Sequence, residues 1–190
     1  MSSEVAPKLN KKFQKSLKYP LPEWHVCQGN SNDCGPFSAT IVANALRNGA
    51  VVDAQKLARA MEEAPKEPGF TLPARMKGWA TFPWGIVYAL RSFGFEARWK
   101  IGASLRHLKE NLDNGLTTIV IVGDPLRFDN GKWAGWAHYK VLYAWDPMQG
   151  WAFVDPAAST AEVFSYQDDA SFQEQWTWMG RHVIEVWLKD

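Results

Sequence analysis

Hydrophobic positions are spaced for helices in the first part of this chain and for strands in the second. Ile41, Val42, Ala43, Ala45 and Leu46 form an apolar helical face that Gly49 stops, with the N-cap types Asn32 and Asp33 ahead of it and Pro36 tolerated in the first turn. Asp53 caps a second helix through about Glu63. The Pro/Gly-rich stretch Ala64 to Pro73 reads as a loop, and loop continues to Thr81. Pro83 opens a helix carrying Ile86, Val87, Leu90 and Phe93 that ends near Gly94, Glu96 to Ile101 reads as a strand, and Ser104 starts a helix to about Asn114. Strand patterns then take over at Leu116 to Val122, Ala137 to Ala144, Trp151 to Val154 and His182 to Leu188, interrupted by a short helix over Ser171 to Met179. At the other end, the basic stretch Lys8 to Lys18 carries Leu9, Phe13 and Leu17 at i, i+4 and i+8, which suggests a short amphipathic helix or arm with a solvated face, packed on the domain and broken by Tyr19-Pro20-Leu21-Pro22. The order of elements predicts an α+β protein whose mostly antiparallel sheet packs against the helix that begins near Cys34. Residues 1–22 are assigned to an N-terminal basic arm and 23–190 to one domain.

At 190 residues the chain is long enough for one substantial core, and 46% hydrophobic and 14% aromatic content excludes global disorder. A formal net charge of +1, with no basic stripe interleaved with aromatics and no zinc-finger spacing, gives no case for nucleic acid. No apolar run approaches a membrane span and the N-terminus lacks a signal-peptide core, so a cytoplasmic protein without a membrane span is expected. Two cysteines make no disulfide framework, although a Cys27–Cys34 disulfide is the bland alternative. A zinc site from His25, Cys27 and Cys34 fits no familiar ligand pattern, so no metal and no cofactor are assigned.

The chemistry concentrates in Gln28-Gly29-Asn30-Ser31-Asn32-Asp33-Cys34-Gly35-Pro36. A cysteine at a helix N-terminus sits beside unpaired backbone N–H groups and the positive end of the macrodipole, a setting that favours thiolate over thiol. Those N–H groups can also stabilise an oxyanion, and Gln28 supplies a neutral side-chain donor for the same task. Asp33 either caps the helix or, if its carboxylate lies near the sulfur, opposes the thiolate. A base is also needed. Of the four histidines, His138 begins a strand inside the aromatic, Gly-rich segment Trp133 to Val141 and is the candidate. His25 is its rival, His107 falls on a polar helix face, and His182 opens the last strand. If Trp145 to Gly150 forms a hairpin turn, Asp155 reaches His138 and can fix its tautomer.

Gln28-x5-Cys34-Gly35-Pro36, His138-Tyr139-Lys140-Val141-Leu142 and Val154-Asp155-Pro156, in that order, resemble the papain-like cysteine peptidases, most closely the double-glycine leader peptidase branch. The resemblance covers roughly Trp24 to Pro156 and implies a papain-like fold. It implies Cys34 as nucleophile, His138 as general base and acid, Asp155 as orienter, and Gln28 with the Cys34 N–H as oxyanion hole. Lys140 departs from the apolar residue expected at its place, and 64–81 has no counterpart. The implied activity is hydrolysis of a peptide or isopeptide bond in a peptide or protein substrate, through a thioester. Alternatives are a transamidase or acyltransferase and a non-catalytic peptide-binding domain of the same fold. Trp136, with Trp133 and Gly35, is assigned to substrate binding, while most other aromatics are assigned to the core.

Overall fold

The computed structural model describes residues 13–65, 73–129 and 131–189. In chain order they form β1 (Lys15–Ser16), a 3-10 turn (Leu21–Trp24), α1 (Cys34–Arg47), α2 (Ala54–Glu62), β2 (Arg75–Met76), β3 (Ala80–Thr81), α3 (Pro83–Ser92), β4 (Phe95–Lys100), α4 (Leu105–Asp113), β5 (Thr117–Asp129), β6 (Lys132–Asp146), β7 (Gly150–Val154), β8 (Phe164–Gln167), α5 (Asp169–Trp178) and β9 (Val183–Leu188). One sheet runs β4-β9-β5-β6-β7-β8, with β1 also on β6, and every pairing is antiparallel. This is the α+β arrangement expected from the order of the patterns. Among the described residues, no helix is long and apolar enough to cross a membrane.

The helices begin where local chemistry starts them. Asp53 accepts from the Lys56 N–H, Ser104 from the His107 N–H and Asp168 from the Ser171 N–H, each a side-chain cap on an otherwise unpaired first-turn donor. Helix α1 ends on Asn48 in the left-handed conformation, which asparagine tolerates better than most residues. It is buried along nearly its whole length, packed on the sheet through β6, β5 and β9 and flanked by α2 and α3. Helix α5 packs on β5 and β7, with Phe172 against Trp151, Phe153 and Trp176.

The structure corrects several sequence expectations. The basic segment, expected as a helix or arm, begins outside the described residues, where Leu9 falls. From Phe13 onward it is extended, and Lys15 and Ser16 pair with Trp145 and Ala144. Phe13 and Leu17 are both buried as their spacing asked, but a separation of four residues suits a strand of period two as well as a helix. The stretch read as loop to Thr81 contains the β2–β3 hairpin, whose two-residue strands are too short to leave a pattern. Strands β5 and β6 run well beyond Val122 and start well before Ala137, forming a long hairpin through Gly123, Asp124 and Pro125. A bulge between Asp124 and Arg127 absorbs the proline, and the bare Gly123 lets the Trp136 carbonyl approach where a Cβ would stand. Strand β8 is an addition that its four residues, too few to make a clear alternating pattern, did not announce.

Candidate active site

Cys34 is the first residue of α1, with Pro36 in its first turn. Asp33 occupies the N-cap position without capping. Its carboxylate instead accepts from Arg75 Nη2 at 2.6 Å, and Arg75, its side chain only 4% exposed, also pairs with Glu62. The negative charge on the residue that precedes Cys34 is therefore answered by a cation from the 64–81 insert. That resolves the two readings of Asp33: it neither caps α1 nor stands unpaired beside the sulfur. Cys27 and Cys34 are both free thiols.

The loop that carries Gln28 is built from its own residues. Gly29 adopts a positive φ of 58°, the Ser31 Oγ and N–H donate back to the Gln28 carbonyl at 2.9 and 3.3 Å, and Gln28 Nε2 donates to the Ser31 carbonyl at 2.7 Å. A carbonyl partner identifies the amide nitrogen, and an NH2 has two protons, so one donor remains. Gln28 lines the same cleft as Cys34 and His138. Two further bonds dock this loop on the end of β7: the Gln28 N–H donates to the Pro156 carbonyl at 2.7 Å, and His25 Nε2 bonds the Asp155 carbonyl at 2.8 Å. His25, the rival base, thus has its Nε2 on the backbone of Asp155.

His138 Nε2 lies 2.6 Å from Asp155 Oδ1, and Cys34 lines the same cleft, near enough that its charge adds to the proton affinity of the ring, which leaves Nδ1 as the nitrogen available to the thiol. The β6–β7 hairpin expected over 145–150 brings Asp155 there, with Val141 opposite Val154 and a bulge between Leu142 and Ala144. Burial of the ring disfavours its charged form, but the bonds from Asp155 and Cys34, aided by their charges, outweigh it and push His138 up to about 9. Burial likewise opposes the Asp155 carboxylate, yet the His138 bond, the His138 and Lys140 charges and the Ala157 N–H hold it well below the usual range. Lys140, two residues beyond His138 and 11% exposed, places Nζ 3.2 Å from Asp155 Oδ2. The departure noted at Lys140 is thus a second basic group, beside His138, on the Asp155 carboxylate.

Helix and strand are held in register next to this pair. Ser38, one turn after Cys34, donates to the Tyr139 carbonyl at 3.2 Å, and the buried Tyr139 hydroxyl donates to the Thr81 carbonyl at 2.8 Å. The other histidines lie elsewhere: His107 pairs with the buried Glu185, and His182 Nδ1 accepts from Trp99 Nε1.

A cleft of about 470 Å³ opens over Cys34 and His138, lined also by Gln28, Asn32, Trp79, Thr81, Asp124, Trp136 and Met179. Trp136, assigned to substrate binding, is on its wall. The Trp133 side chain lies outside the described residues. Gly35 is corrected: it is buried beneath the cleft, where a Cβ would stand 2.9 Å from Thr81 Cβ, so it admits Thr81 and does not line the cavity. Trp79, Thr81 and Asp124 come from segments that carry no periodic pattern or motif, Met179 ends the helix expected over Ser171 to Met179, and only the fold brings the four to this wall.

No family model matches the chain, and no curated protein does. Solved structures share its fold. A protein assigned as a C39-like peptidase from Bacillus anthracis is 18% identical, with a TM-score of 0.66 over 93% of this chain and 99% of that one. The peptidase domain of Streptococcus ComA, a bifunctional ABC transporter of a quorum-sensing pathway, is 22% identical, with a TM-score of 0.56 over 86% and 97%. A double glycine motif protease from an AMS/PCAT transporter, solved with its leader peptide, is 15% identical, with a TM-score of 0.58 over 93% and 96%. The chain therefore has the fold of the C39-like, double-glycine leader peptidases, the papain-like architecture that its three motifs resemble.

Proposed function

We propose that this chain is a cysteine peptidase that cleaves a peptide bond through a thioester on Cys34. The observation that carries the reading is the His138 ring, bonded at Nε2 to Asp155 and lining one cleft with Cys34, whose nearness adds to the rise in its proton affinity. With its affinity for protons raised to about 9, His138 takes the thiol proton and forms an imidazolium beside a thiolate. The thiolate attacks the substrate carbonyl. The remaining Gln28 side-chain N–H and the Cys34 backbone N–H, one of the first-turn donors with no intrahelical acceptor, receive the oxyanion. His138 then gives its Nδ1 proton to the leaving amine, and the C–N bond breaks. In the second half a water molecule gives a proton to Nδ1 as it attacks the thioester, releasing the acid and restoring the thiol–imidazole pair. Asp155 keeps Nε2–H pinned so that Nδ1 faces the sulfur throughout, and Lys140 keeps Asp155 charged and fixed.

The substrate is read as a peptide or protein segment, in keeping with the neighbour of the same fold that was solved with a leader peptide. Residues 23–190 are read as the peptidase domain and 1–22 as an arm, of which Lys15 and Ser16 join the sheet. The test compares chains carrying Cys27→Ser, so that one thiol remains. Iodoacetamide should alkylate Cys34 faster than it does in a His138→Ala variant at pH 7, and a mixture of protein-derived peptides should be cleaved only while Cys34 is present. Equal alkylation rates and no Cys34-dependent cleavage would overturn the reading. Incorporation of an added amine into the products would reassign the acceptor from water to an amine.

A further inference from the structure

The cleft holds one carboxylate that the proposed chemistry leaves unused. Asp124 on β5 stands opposite Trp136 on β6, as Val122 stands opposite His138. The Asp124–Trp136 pair thus lies two residues along the hairpin from His138, about 7 Å at the rise of a strand. All three residues line the same cavity. The Trp136 indole Nε1 donates to Asp124 Oδ2 at 2.8 Å. That bond fixes the carboxylate and leaves Oδ1 open. Among the described residues no cation pairs with Asp124. Water would satisfy an exposed indole N–H equally well, so satisfying Trp136 does not account for a charge at this place.

The surroundings suit a cation. Trp136 is 44% exposed, and Trp79, at the turn of the β2–β3 hairpin on the same cleft, is 69% exposed. Large aromatic faces left open beside a fixed carboxylate attract a positive charge through the ring quadrupole and the carboxylate together. The charge balance agrees: a thiolate paired with an imidazolium is neutral, and Asp124 is the remaining acidic side chain on the cleft wall.

We infer that Asp124 and Trp136 form a subsite for a positively charged side chain, a lysine or arginine of the peptide lying within about two residues of the scissile bond. The inference rests on the peptidase reading for its biological use, but its binding test does not. In a Cys34→Ala chain, the indole N–H resonance of Trp136, assigned by Trp136→Phe, is titrated with acetyl-Gly-Lys-Gly-amide and with the norleucine analogue of equal length. The lysine peptide should bind about fivefold tighter or better, as expected for a cation placed over an indole beside a carboxylate. Asp124→Asn should erase the difference, and 0.5 M salt should reduce it. Equal affinities for the two peptides in the parent chain, or a preference that survives Asp124→Asn, would overturn the subsite. Cleavage sites in a mixture of peptides generated by a glutamate-specific protease provide the second readout. Lysine and arginine should be enriched within two positions of the Cys34-dependent cuts, and Asp124→Lys should replace them with acidic residues. If Cys34 cuts nothing, the peptidase reading falls while the titration still decides the subsite.

Discussion

Replacing Asp155 by Asn removes the charge behind His138 with little change of shape, and the structure sets the scale of the consequence. His138 is raised from 6.5 to about 9, a preference for the imidazolium of roughly 3 kcal/mol at 1.36 kcal/mol per pH unit. Burial works against that preference, and the bonds and charges of Asp155 and Cys34 supply it. Without the Asp155 charge the inflection should fall by about one pH unit or more, about 1.4 kcal/mol. The assay is the proton NMR titration of the imidazole Cε1–H resonances of the four histidines, with His138 identified by its loss in His138→Gln. The direction of the linked stability follows from the sign. A raised histidine contributes stability that is complete below its unfolded value of 6.5 and is lost as the pH climbs through about 9. Asp155→Asn should therefore lower the urea midpoint more at pH 6 than at pH 9.5. Part of the cost at both pH values comes from Lys140, left nearly buried without its carboxylate. Adding Lys140→Met should recover that part of the stability without restoring the His138 inflection. An inflection that stays within 0.3 of the parent value in Asp155→Asn would refute the reasoning, because the shift would then arise elsewhere.

Further consequences can be measured separately. Gln28→Glu keeps the shape but removes the amide donors, so kcat should fall by roughly 10²- to 10³-fold, as for a lost oxyanion donor, with little change in KM in steady-state peptide cleavage. Gly35→Ala pushes a methyl against Thr81 and should cost about 1–3 kcal/mol in urea unfolding, part of it recovered by Thr81→Gly. Arg75→Met leaves the partly exposed carboxylates of Asp33 and Glu62 without their shared cation, so a loss of about 1–2 kcal/mol is expected in urea unfolding, and it should shrink when Asp33→Asn and Glu62→Gln are added. Ser38→Ala removes the bond from α1 to the Tyr139 carbonyl and should cost about 1 kcal/mol by the same measurement.

The legible parts of the chain are those where chemistry is local. Asp53 and Ser104 cap their helices from the positions where the sequence puts them, because a cap bonds an N–H three residues away. Asp33 has the same residue type but does not cap, because Arg75 lies 42 positions along the chain and a buried guanidinium needs a carboxylate more than a helix end does. The long β5–β6 hairpin was hidden for a related reason. Gly123, Pro125 and Gly135 are breakers by propensity, and a bulge together with a close strand approach turns them into parts of a continuous ladder. Phe13 and Leu17 show the limit of periodicity, since burial at a spacing of four does not distinguish strand from helix.

By itself the sequence determined the order of helices and strands, the thiol at the start of a helix, and the two motifs, at His138 and Asp155, that one antiparallel turn brings together. Those features depend on neighbours within a few residues or on a hairpin whose closure is short-range. The tertiary structure alone decided that Lys140 shares Asp155 with His138, that His25 bonds a backbone carbonyl at the end of β7, and that Arg75 answers the charge next to Cys34. It also decided that Gly35 packs beneath the cleft while Asp124 and Trp136 stand on its wall. Charges and shapes that meet across a dozen to more than a hundred residues leave no period in a chain. Their pairing is fixed only when burial makes an unanswered charge too costly to keep.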